Sequence, residues 1–148
     1  MNRKILAELQ RDGRLTVTEL AAKVQLSVSP CHRRLRDLER AGVIRGYRAV
    51  VDPAALGLSF EAVVFASMRD GDSATVAAFE ETVAAIPNII EAQRLFGDPD
   101  YLLRVVTADL VAFQQLYDSR LSTLPGVRRL TSTIVMKDVV DHRPLPNA

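Results

Sequence analysis

Apolar positions along the first forty residues fall into three groups at helical spacing. Ile5, Leu6 and Leu9 form the first, and Gly13 ends it. Thr16-Val17-Thr18-Glu19 then reads as a capping box, in which the Thr16 hydroxyl serves the Glu19 amide while Glu19 reaches back. The short helix it starts turns Leu20, Ala21 and Val24 inward, and Gln25-Leu26-Ser27 makes a tight connection. Ser29-Pro30 signals a third helix over 29–41, because proline suits a first helical turn. Its apolar stripe is Cys31, Leu35 and Leu38, and Gly42 ends it. The stretch 43–51 is β-branched and alternating enough to predict a strand interrupted at Gly46. Asp52-Pro53-Ala54-Ala55-Leu56-Gly57 follows as a hinge.

The remainder of the chain repeats itself. A strand over Phe60–Met68 leads to a helix over 73–86, with Val76, Phe79, Val83 and Ile86 on one face, and a strand over 89–96. After the turn Gly97-Asp98-Pro99-Asp100 comes a strand over Tyr101–Thr107. A helix over 110–124 then directs Leu110, Phe113, Tyr117, Leu121 and Leu124 inward and leads to a strand over 127–136. Val63 and Pro87 are as far apart as Tyr101 and Pro125, 24 positions in each case. Two such units in tandem predict a ferredoxin-like β-α-β-β-α-β domain. Helices on one face would leave the other sheet face open to a partner subunit. The expected fold class is therefore α+β, with a helix-turn-helix domain at 1–43, a hinge strand and linker at 44–58 and a ferredoxin-like domain at 59–148.

Charge separates the two halves. The whole chain carries only +1, but residues 1–52 hold eleven Lys/Arg against six Asp/Glu, a net +5. The rest holds eight basic and twelve acidic residues, a net −4. Only the first half is thereby suited to a polyanion. With about 100° per residue, the inward stripe of the third helix points Arg33, Arg36 and Arg40 outward. A helix of this size fits the DNA major groove, where arginine can grip guanine bidentately. Ser27, Val28, Ser29, His32 and Arg33 near its start, with Arg36 one turn on, are placed to read base edges. Thr16 and Thr18 are candidates for phosphate contacts through side chains and backbone amides. The alternative is a solvated basic face with Arg33 paired to Asp37. The capped short helix, the three-residue turn and the basic second helix together favour double-stranded DNA.

Other chemistry is thinly provided. No apolar stretch reaches the roughly 18–20 residues needed to span a membrane, and the N-terminus lacks a signal peptide's apolar core. The single cysteine, Cys31, cannot form an internal disulfide and suits a reducing cytoplasm. His32 and His142 lie in unrelated segments, so no metal cage is expected. There is no Gly-rich phosphate loop or nucleophile elbow. No catalytic residue, metal or cofactor is expected, and the chain reads as non-enzymatic. Gly97-Asp98-Pro99-Asp100 is a good hairpin turn in its own right. Equally, Asp98 and Asp100 can pair with an α-ammonium while amides at Gly97 take a carboxylate.

The run over 26–47, from Leu26-Ser27-Val28-Ser29-Pro30-Cys31-His32-Arg33-Arg34-Leu35 to Gly42-Val43-Ile44-Arg45-Gly46-Tyr47, closely resembles the helix-turn-helix signature of the Lrp/AsnC, or feast/famine, transcriptional regulators. Leu95-Phe96-Gly97-Asp98-Pro99-Asp100-Tyr101-Leu102-Leu103 looks like that family's effector loop. Leu124-Pro125-Gly126-Val127, with Thr131-Ser132-Thr133-Ile134-Val135, is similar to its last helix-to-strand step. The resemblance implies a winged-helix-type DNA binder joined by a hinge strand to a ferredoxin-like module, regulating amino-acid metabolism from the cytoplasmic nucleoid. It implies dimers formed through the sheets, assembling further to octamers, with a free amino acid bound between dimers. Gly97, Asp98 and Asp100 would meet the effector's charged groups and Thr133 would hydrogen-bond it, with Tyr101 completing the motif and Thr131 a lesser candidate. The family's first helix usually follows a few residues with acidic positions, whereas this chain begins almost inside that helix. Pro99 stands where an aromatic residue is common. An architectural DNA-organising oligomer with no effector response is the competing reading, and an amino-acid sensor with residual DNA binding is a third.

Overall fold

The computed structural model describes residues 1–69 and 71–146, which pack as two units. One comprises Met1–Val50 together with the segment from Val139 onward, and the other comprises Val51–Asp138. By packing, residues 139–146 group with the N-terminal unit rather than with Val51–Asp138.

The N-terminal unit contains α1 (Asn2–Arg11), α2 (Val17–Val24) and α3 (Val28–Arg40). Its core joins Ile5, Leu20, Ala21, Val24, Cys31 and Leu38, with Leu35 and Ile44 packed against them. The capping box at the start of α2 forms in both directions. Gln25 closes α2 in the left-handed conformation, and its amide returns to Ala21 and Ala22. That closure is what makes a three-residue turn possible. Ser27 is the N-cap of α3, so Pro30 falls within the first turn, where its missing N–H has no helical partner to lose. After α3, Gly42 adopts φ +69° and the amides of Val43 and Ile44 return to the Leu38 carbonyl at 3.0 and 3.2 Å.

The strand expected over 43–51 does not form. Its alternation is real, but a strand needs a neighbour for its N–H and C=O groups. No described segment pairs with it, and Val43, Tyr47, Val50 and Val51 remain exposed.

The second unit is the expected α+β fold. Its four strands are β1 (Phe60–Met68), β2 (Ile89–Arg94), β3 (Tyr101–Thr107) and β4 (Val127–Ile134), ordered β2-β3-β1-β4 with every neighbour antiparallel. β1 buries alternate residues, Ala62, Val64 and Ala66. These small side chains admit Phe79 and Val83 from α4 (Ser73–Ala84) and Phe113 from α5 (Leu110–Leu116). The second helix is shorter than the expected 110–124. It widens into a π-turn over Tyr117–Leu121, where the Ser122 amide donates to the Tyr117 carbonyl five residues back. Leu121 and Leu124 still reach the core, whereas Leu110, at the first position of α5, is exposed. The opposite sheet face carries Val63 and Phe65, cross-strand from Arg104 and Leu102 on one side and from Thr133 and Thr131 on the other. No helix of the molecule is long and apolar enough to cross a membrane among the described residues.

Gly126 occupies a crowded turn before β4. Its φ is +69°, and a Cβ there would lie 2.3 Å from Thr75 Cγ2 and 3.0 Å from Met68 Cε. Its carbonyl accepts from the Arg69 amide at 2.8 Å, tying the approach to β4 to the end of β1. Strained backbone and overpacking therefore combine in Gly126→Ala, which should destabilise the unit by about 2 kcal/mol or more. Thermal unfolding checks this; an unaltered melting temperature would show that neither constraint holds.

Candidate nucleic-acid interface and effector loop

The stripe that buries α3 also aims it. Cys31 is fully buried and Leu38 nearly so, while Ser29, His32, Arg33, Arg36 and Arg40 are exposed. Burial among apolar neighbours pushes the Cys31 thiol above its ordinary pKa, as suits a small core residue. Ser27 caps α3 by position only, so its hydroxyl is not engaged in a cap bond. Val28, at the first helical position, is 47% exposed. The sequence-selected residues on α3 thus share one accessible surface. Arg33 and Asp37 form no ion pair among the described residues. Arg34 turns the other way, donating to Asn2 Oδ1 at 3.4 Å on α1.

The two threonines differ. The Thr16 hydroxyl accepts from the Glu19 amide at 3.2 Å and donates to Glu19 Oε2 at 2.9 Å, and the Thr16 amide donates to the same carboxylate. These bonds, the backbone one first, hold the Glu19 carboxyl below its usual range. The polar groups of Thr16 are thereby engaged within the cap, whereas Thr18 is exposed in the first turn of α2. A contact that sequence reading missed secures the far end of α3. The Tyr47 hydroxyl donates to Glu39 Oε1 at 3.1 Å, and partial desolvation followed by this bond raises the tyrosine pKa.

In the second unit the loop between β2 and β3 is built by its own carboxylates. Gly97 adopts φ +148°, a region open to glycine, and the Asp98–Pro99 bond is cis. The Leu95 amide donates to the Asp100 carbonyl at 2.7 Å, closing the loop, and the Asp100 amide donates to Ala66 at 3.0 Å. Asp100 Oδ2 accepts from the Met68 amide at 2.7 Å, whereas Asp98 Oδ1 lies 3.5 Å from the Ser67 hydroxyl.

Two clefts flank this loop and divide the expected effector residues. The larger, about 650 Å³, is lined by Asp100 and Tyr101 together with Arg69, Arg94, Met68 and Leu95, and Val76 of α4. The smaller, about 250 Å³, lies on the open sheet face and brings together Asp98, Thr131, Ser67, Phe65 and Arg129. Thr133 is exposed on the same face of β4, one pleat beyond Thr131, and lines neither cleft. Gly97 is exposed at the bend between them.

Sequence reading did not find Arg69, Arg94, Arg129 or Glu80. The buried Tyr101 donates its hydroxyl to Glu80 Oε1 at 2.7 Å, and Arg94 pairs with the same oxygen. Tyr101, then Arg94, holds the Glu80 carboxyl below the usual carboxylate range. Arg94 can be located from its place two residues before Phe96-Gly97. Glu80 has no such signal, because its distance from the loop is closed only by the packing of α4 on the sheet.

Comparison with known proteins bears on both units. Residues 1–45 match the family model described as winged helix-turn-helix DNA-binding, and residues 61–145 match the Lrp/AsnC ligand binding domain. A leucine-responsive regulatory protein from Rhizobium meliloti is 39% identical over 138 residues, covering 93% of this chain and 88% of that protein. A proline dehydrogenase transcriptional activator from Rhodobacter capsulatus is 37% identical, covering 95% and 92%. Among solved structures, a transcriptional regulator from Neisseria meningitidis in complex with L-Met superposes with a TM-score of 0.93 at 36% identity. That match covers 98% of this chain and 94% of the other.

The Glu80 network has a defined pH signature. Its folded pKa is depressed, so its contribution is present above the unfolded value and lost as pH falls through the folded one. Tyr101→Phe removes the largest cause of the shift and should raise the Glu80 pKa toward the ordinary range. A carboxyl-detected NMR titration measures it, and an unmoved Glu80 would show that the hydroxyl does not act on it.

Proposed function

The chain belongs to the Lrp/AsnC family of transcriptional regulators, proteins that are not enzymes, and from that premise we propose that it binds specific operator DNA through α3 and adjusts that binding to a free amino acid. The observation that carries the DNA half is the shared exposure of His32, Arg33, Arg36 and Arg40 opposite the buried Cys31–Leu38 stripe. Ser27, Val28 and Ser29 read bases alongside His32, Arg33 and Arg36, while Thr18 and the amides at the start of α2 take phosphate. Regulation of amino-acid metabolism fits the relatives named for leucine response and for proline dehydrogenase. The cytoplasmic nucleoid is the corresponding location.

The effector half rests on the cleft beside Gly97–Asp98–Asp100. Arg69 and Arg94 supply positive charge for an α-carboxylate, and Asp100, with one oxygen engaged by Met68, offers the other to an α-ammonium. Met68, Val76 and Leu95 supply an apolar wall, which favours an uncharged aliphatic or thioether side chain. The Neisseria relative is bound to L-Met. Asp98, Thr131 and Thr133, on the open sheet face, add to the site as the chains assemble. The assembly itself is a homodimer through the sheet face bearing Val63, Phe65 and Leu102, with dimers joining into a higher oligomer such as an octamer. Backbone at 45–51, in no strand within one chain, is available to the second copy.

Arg33→Ala and Arg36→Ala should each weaken operator binding by about 1–3 kcal/mol without dissociating the oligomer. Unchanged operator affinity in both would remove α3 from the interface. Asp100→Asn keeps an acceptor for the Met68 amide but loses the charge. It should abolish the shift in operator affinity caused by an amino acid, titrated from the full panel of free amino acids, while basal binding persists. If no amino acid shifts wild-type binding, the architectural reading replaces the sensory one.

A further inference from the structure

The end of the chain does not pack with the unit it leaves. Residues 139–146 join the helix-turn-helix unit, so the polypeptide passes between the two units twice, once through the linker after Val50 and once before this segment. Its contact is specific in one place. The Leu145 amide donates to Gln10 Oε1 on α1 at 2.7 Å, across 135 positions of sequence. Leu145 stands beside a groove of about 580 Å³ formed by Leu6 and Leu9 of α1 with Val43, Ile44 and Tyr47 after α3.

We propose that the segment 139–146 is a releasable strap on the DNA-binding unit, transmitting to α1 the state of the strand that carries Thr131 and Thr133. This rests on the amino-acid-responsive reading above and adds the route by which the response reaches DNA.

Local chemistry suits a strap. Arg143-Pro144-Leu145-Pro146 places a proline on each side of the anchor, which restricts the free segment and lowers the entropy lost on docking. Neither proline has an N–H, so Leu145 is the one backbone donor in 144–146 and its register on Gln10 is unambiguous. The anchor is also weak enough to release. Leu145 is 76% exposed, and a single neutral hydrogen bond makes a modest net contribution.

The point of attachment is mechanically placed. Leu6 and Leu9 pack against the cluster that contains Cys31 and Leu38, so a pull at Gln10 is felt by the core that seats α3. Arg33, Arg36 and Arg40 do not line the groove, and strap and DNA therefore do not compete. At its other end the segment follows β4 after only Val135–Asp138, with no helix between to absorb a displacement.

Two readouts on the full-length protein test this. Gln10→Ala, an exposed helix position where alanine is favourable, should make the Leu145 amide exchange several-fold faster in hydrogen-exchange NMR; equal rates would remove the contact. Operator affinity is then measured with and without L-methionine and the other free amino acids. In wild type the responding amino acid shifts affinity, whereas in Gln10→Ala and in a chain ending at Asp138 basal affinity should stay within about twofold and the shift should fall at least threefold. A responsive wild type with equally responsive variants overturns the strap. An unresponsive wild type overturns the effector reading, and with it transmission, while the exchange data still decide the contact.

Discussion

One-sided burial along β1 is the constraint on which the second unit depends. Ala62, Val64 and Ala66 face the helices, and their small volume lets Phe79, Val83 and Phe113 close over the centre of the sheet. Once both helices lie on that face, the other face is left with the apolar Val63, Phe65 and Leu102 beside the charged Arg104. The half-buried Arg104 is paired with Glu61 and lies 3.5 Å from Glu91, so its charge is already met within one chain. The same arrangement brings the loop before β3 to the end of β1, where Asp100 secures Met68.

The helix-turn-helix obeys a similar rule with a different period. Burying Cys31 and Leu38 leaves the outward arginines no choice of direction, since side chains three and four apart share a face. Arg34 lies off that face and is taken by Asn2, which separates a structural arginine from the exposed ones. Local caps support the arrangement: the reciprocal Thr16–Glu19 bonds start α2, and the left-handed Gln25 turns the chain sharply enough to set α3.

At the loop, Asp98 and Asp100 both hold the turn in place and line the clefts beside it. The turn chemistry of Gly97-Asp98-Pro99-Asp100 therefore leaves the proposed ligand contacts open. Asp100 gives one oxygen to the backbone and keeps another, and Tyr101 is buried with its hydroxyl committed to Glu80 rather than open to a ligand. Tyr101 therefore acts by fixing Glu80 and Arg94 beside the cleft. The arginines bring the charge that the sequence motif, read as a string, lacks.

What the sequence determined alone were the features with local causes. Helix periods, the capping box, the alternation of β1 and the 24-residue repeat each depend on residues a few positions apart, and each is legible without knowing the fold. The charge split and the outward arginines follow from the same local geometry. Tertiary structure alone decided the rest. It joined Glu80 to Tyr101 and Arg94, separated Asp98 from Asp100 into different clefts, and returned Leu145 to Gln10. It also left 43–51 unpaired, although the pattern there is that of a strand. The physical reason is common to all of these: a side-chain period or cap is satisfied within one segment, whereas a strand, an ion pair or a cleft exists only when a second, distant segment supplies the other half.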